Sequence, residues 1–81
     1  MELDNDKIDD DVLALLYLTA FHEGKDLPWR TWKSHDWEVM DRLCKKGYIS
    51  DPKSKAKSVT LTDNGYAKAK QLFEAKYARK G

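Results

Sequence analysis

Three lysines, Lys53, Lys55 and Lys57, alternate with small residues in the segment PKSKAK. In extended backbone, side chains two apart point the same way, so these ammonium groups are expected to leave one side of a loop. Lys45 and Lys46 lie a few residues earlier. Such a group suits contact with phosphates that is sensitive to salt and tolerant of base sequence. The loop holds no arginine, so bidentate readout of bases is not expected from it. Arg30, Lys33, Ser34 and Arg42 form a second candidate set, around the helices expected before the loop. The same lysines also fit a solvated loop that keeps a hairpin edge polar, and both readings stay open here.

Other chemistry has little to work with. His22, His35 and Cys44 are the only nitrogen and sulfur ligands, with no CxxC or HxxxH spacing, so no metal is expected. Asp9-Asp10-Asp11 lacks the alternation, central Gly and terminal Glu of a calcium loop. Cys44 falls on the apolar stripe of its helix, which predicts a buried, inert thiol. The glycines, at 24, 47, 65 and 81, stand at expected helix ends or the terminus, so none builds a phosphate loop. We expect no enzyme activity, no cofactor and no small-molecule ligand.

The elements that position these groups fit in one domain, since the chain has 81 residues. Hydrophobic residues are 41% and charged residues 36%, which predicts a folded domain rather than a disordered one. A single Cys behind an acidic N-terminus, the wrong sign for a signal peptide, predicts a reducing, cytoplasmic setting. The longest apolar run, Val12–Leu18, is too short to span a bilayer. The net charge of +1 hides an imbalance: residues 1–24 carry −6 and residues 25–81 carry +7. Either helix ends favour those charges locally, or a basic face awaits an anionic partner.

Residues 1–7 are polar and expected to be disordered, residues 8–78 to form the domain, and residues 79–81 to be a basic tail. A first helix is predicted from Asp9 to His22, with the aspartates at its N-terminus and apolar residues on two faces. A short second helix is predicted over Pro28–Lys33, with Trp29 and Trp32 sharing a core-facing side. A third runs to Lys46 with Trp37, Met40, Leu43 and Cys44 as its stripe, stopped by Gly47. Tyr48-Ile49 and Ser58–Leu61 read as the arms of a hairpin, with Val59 and Leu61 facing inward. A last helix spans Asp63 to Ala78, capped by Thr62, with Tyr66, Ala69, Phe73 and Tyr77 on one face. The predicted class is mainly α with a small two-stranded β-hairpin, laid out as a winged helix-turn-helix.

The stretch from Trp37 to Ile49, with Leu43, Gly47 and Tyr48-Ile49, resembles the helix that leads into the wing of MarR- and PadR-like winged-helix regulators. Leu61, Thr62 and Gly65 resemble the Leu-Thr-x-x-Gly pattern that closes that wing. The likeness covers about half the chain and implies the fold more than the function. The whole chain also resembles a small uncharacterised bacterial family, a domain of unknown function, through Asp10–Thr19, the Trp-rich middle and Gly47–Pro52. The regulator resemblance implies a nucleic-acid-associated, transcription-related protein that contacts DNA through the wing. The chain departs from it in a shortened second helix and in Asp36 and Glu38, which would repel phosphates. The alternative is a protein-interaction or homodimerisation module that uses the first and last helices.

Overall fold

The computed structural model describes residues 2–22, 24–33 and 36–78. The chain is mainly helical with a small antiparallel sheet, in the order α1 (Asn5–Leu18), β1 (Arg30–Trp32), α2 (Trp37–Lys45), β2 (Ser58–Thr60), α3 (Asp63–Tyr77). The predicted basic tail, residues 79–81, lies outside the described residues, as does Ser34.

Helix α1 begins four residues before the predicted start. Asp4 accepts a hydrogen bond from the Lys7 N–H at 3.1 Å and so caps the helix. Asp9, predicted as part of the N-terminus, instead sits inside the helix and is fully buried. The helix buries Leu13, Ala14 and Leu16 and ends at Leu18, short of the predicted His22. It stops because Phe21 turns outward to exchange two backbone hydrogen bonds with Arg30, at 2.8 and 2.7 Å.

The predicted second helix does not form: residues 30–32 are a strand. A six-residue helix has little to sustain it. As a strand, residues 30–32 gain a cross-strand ladder with residues 58–60 and suit the β-favouring Thr and Trp. The register is Arg30↔Thr60, Thr31↔Val59 and Trp32↔Ser58, and Lys33 N–H donates to Lys57 O beyond it. Thr31 is buried, and its hydroxyl donates to Leu16 O at 3.1 Å, satisfying a carbonyl of the last turn of α1. The strand geometry also splits the tryptophans. Trp29 packs against the core, whereas Trp32 is 50% exposed on the other face.

Among the described residues, α2 therefore follows a strand rather than a helix. It buries Val39, Met40 and Leu43, while Trp37, expected on this stripe, is exposed. Gly47 takes φ +82°, and Tyr48 N–H bonds Leu43 O while Gly47 N–H bonds Cys44 O. That pair of bonds is a Schellman stop, which needs a left-handed residue at this position.

Residues 48–61 double back as expected. Ile49 bridges Leu61, Ser50 N–H donates to Thr60 O, and Thr62 N–H donates to Tyr48 O. The ladder is thus wider than a hairpin, because β1 runs along the other side of the returning arm. Val59, Leu61 and Ile49 face inward and are buried. Thr62 accepts from Gly65 N–H at 2.9 Å and donates to Gly47 O at 2.7 Å, tying the start of α3 to the end of α2. Helices α1 and α3 pack on each other through Tyr17, which meets Tyr66 at 5.5 Å and Phe73 at 5.2 Å between ring centres.

Candidate nucleic-acid interface

The eight candidate residues that the structure describes separate into distinct electrostatic settings. Arg42 and Lys46, both on or next to α2, close on the buried Asp9. Arg42 Nε lies 3.0 and 2.9 Å from the two Asp9 oxygens, Arg42 Nη2 lies 2.8 Å from Oδ1, and Lys46 Nζ lies 2.9 Å from Oδ2. Lys46 also reaches Asp6 at 3.0 Å. Burial pushes the Asp9 carboxyl up, but the hydrogen bonds and charges of Arg42 and Lys46 outweigh it and hold the group below its ordinary range. The hydrogen bond to Asp9 raises both Arg42 and Lys46 against the opposing effect of desolvation. Lys45 pairs with Asp41 one turn back, at 3.1 Å. The exposed side of α2 thus presents Asp36, Glu38 and neutralised pairs.

Arg30, Lys33, Lys53, Lys55 and Lys57 have a different setting, since none forms an ion pair with a carboxylate among the described residues. Arg30 lies across β2, donating from Nε to Ser58 Oγ at 2.9 Å, from Nη1 to Thr60 Oγ1 at 2.9 Å and from Nη2 to Ser58 O at 3.2 Å. These neutral acceptors fix the guanidinium but leave its charge uncompensated. Lys33 Nζ donates to Ser54 O at 2.7 Å and so pins the loop to the end of β1. Asp51 Oδ1 accepts from Lys53 N–H, and Pro52 is buried, which sets the turn from which the loop lysines emerge. Lys53, Lys55 and Lys57 are exposed.

The register explains this concentration of charge. No Asp or Glu occurs between Asp26 and Asp36, nor between Asp51 and Asp63. Pairing β1 with β2 lays these two acid-free stretches side by side. Residues opposite one another share a face, so Phe21, Arg30, Trp32 and Thr60 all belong to the side away from the helices. There Phe21 and Trp32 meet with ring centres 5.0 Å apart. Neither aromatic was among the predicted site residues. The period-two alternation of Arg30 and Trp32 was a usable signal, but the helical spacing of Trp29 and Trp32 competed with it.

On the helical side, Trp29 stacks on Tyr66 with centres 5.0 Å apart and planes 10° from parallel. The pair borders an open depression of about 390 Å³ that Lys25, Leu27 and Asp63 also line. Burial raises the Tyr66 phenol, and the neighbouring Tyr17 acts in the same direction. His22 packs its ring against Trp29 and its Nδ1 lies 2.8 Å from Gly24 O. Among the described residues, no three His, Cys, Asp or Glu side chains converge as a metal site, and no helix is long and apolar enough to cross a membrane.

No solved structure is significantly similar to the chain. An uncharacterised protein, y4hR, of Sinorhizobium fredii is 47% identical over 79 residues, covering 98% of this chain and all of that one. A domain of unknown function, DUF6429, matches residues 4–79. The chain therefore belongs to the DUF6429 family.

Proposed function

We propose that this protein is a reduced winged-helix module that binds nucleic acid through its sheet and hairpin, without catalysing a reaction. The winged-helix reading draws support from a helix feeding directly into a hairpin, with a third strand along the returning arm. It differs from a DNA-reading helix-turn-helix in having a strand where the bracing helix would stand. Helix α2 is accordingly not the reading element: its Arg42, Lys45 and Lys46 serve carboxylates, and Asp36 and Glu38 repel phosphates. The observation that carries the proposal is that Arg30, Lys33, Lys53, Lys55 and Lys57, on the paired strands and the adjoining loop, have no carboxylate partner among the described residues. Phosphates would meet lysine and arginine there with no acidic residue on the paired strands.

The experiment compares two charge removals in the full chain at low salt. Replacing Lys53, Lys55 and Lys57 together with Ala should abolish most binding to a fluorescent oligonucleotide. Lys45→Ala, which removes a cation already paired with Asp41, should change affinity by less than about twofold. Equal effects of the two would reject the sheet and hairpin as the contact surface.

A second reading, contact between copies of the chain, rests on exposed Leu15 and Leu18 three residues apart on α1. The stripes expected to drive that contact largely meet each other in the α1–α3 packing. Sedimentation at rising concentration tests it: self-association that Leu18→Glu removes would favour it over nucleic-acid binding.

A further inference from the structure

We infer that the outer face of the sheet is a stacking platform for unpaired bases, so that the preferred ligand is single-stranded nucleic acid rather than duplex. The inference rests on the nucleic-acid reading above and specifies its ligand. Trp32 is half exposed although it sits in the middle of the fold's sequence, and it packs on Phe21 rather than on the core. A large apolar ring left in water at the end of a three-residue strand gains nothing for stability by its exposure. Its neighbours point to the occupant. Arg30 is two residues away on the same face, with its guanidinium held by Ser58 and Thr60. Lys33 and Lys57 pair at the next position, where alternation puts them on the opposite face, at the rim of the sheet. An aromatic ring beside a fixed guanidinium, with lysines at the rim of the sheet and no acid on either strand, matches a base flanked by phosphates. A protein partner of the apolar kind would not call for that charge. Duplex DNA hides its base faces, so it would leave Trp32 unused and be held by the lysines alone.

The experiment uses the full chain with a labelled oligothymidylate of about 15 nucleotides, and a duplex of equal length, at the same low salt. The single strand should bind more tightly and should quench tryptophan fluorescence, whereas the duplex should not. Trp32→Ala should weaken single-strand binding by about tenfold, the loss of one stacked base, and leave its salt dependence unchanged. Trp32→Phe should restore affinity while removing most of the quenching, which a merely structural role for Trp32 would not produce. Equal or tighter binding of duplex, or no quenching by the single strand, would overturn the platform and leave the lysine contacts standing. Self-association abolished by Trp32→Ala would also overturn it, by making this face a contact between copies. Failure of both oligonucleotides to bind at low salt would instead reject the nucleic-acid reading itself.

Discussion

Asp9 carries a full charge at zero exposure, which only its two cationic partners make tolerable. Asp9→Asn removes the charge that Arg42 and Lys46 were positioned to meet. We expect it to cost about 2 kcal/mol, below the 3–5 kcal/mol typical of a fully buried broken pair, because both cations keep access to water. Urea unfolding measures this directly. The pH dependence has a definite sign. The folded-state Asp9 carboxyl is lowered, so its contribution is complete above the ordinary carboxylate range and disappears as pH falls through the folded value. Lys46 is raised, so its contribution is complete at neutral pH and is lost only as pH rises through its elevated folded value. Stability should therefore fall on the acid side, and Asp9→Asn should flatten that limb. An acid limb unchanged in the variant would contradict this role. None of it was legible in the sequence, where Asp9 was one of three consecutive aspartates and its partners lie 33 and 37 residues away.

At the scale of elements, the join between α2, the hairpin and α3 depends on two glycines for different reasons. A Cβ on Gly65 would lie 1.9 Å from the carbonyl oxygen of Tyr48, a backbone atom that cannot swing aside. A Cβ on Gly47 would meet nothing within 4 Å, and there the demand is only the positive φ. Gly65→Ala should thus cost more than about 2 kcal/mol and Gly47→Ala about 1 kcal/mol, read from thermal or urea midpoints. The reverse order would mean that α3 can lift from the hairpin at little cost. This junction was readable in advance because its signals are local: Gly47 after a helical stripe, and Thr62 three residues before Gly65. Strand β1 was not. Its partner lies 28 residues ahead, and the Trp29–Trp32 spacing imitates one turn of helix until that partner arrives. Helix α1 was expected at Asp9–His22 but lies four residues earlier at both ends, because Asp4 provides the cap that the triple aspartate seemed to offer.

Taken as a whole molecule, the chain forms a slab of 37 × 36 × 19 Å with a radius of gyration of 12.6 Å. One face of the sheet lies outside the helix packing and carries Phe21, Arg30 and Trp32, and the lysine loop leads into its second strand. The candidate site was half legible: Lys53, Lys55 and Lys57 stood out as a run of lysines, but the extended segment expected to align them is a series of turns and bends over residues 52–57. Separating Arg30 and Lys33 from Arg42, Lys45 and Lys46 required knowing where Asp9 and Asp41 lie. The central claim is that five cations act together on phosphates. The affinity of the wild-type chain for a single strand, measured across salt concentrations, tests it most directly. If all five engage, log K should fall against log salt with a slope of about −3.5, and with about −1.4 once the three loop lysines are Ala. Binding whose slope is near zero, or a slope the triple variant leaves unchanged, would contradict the claim.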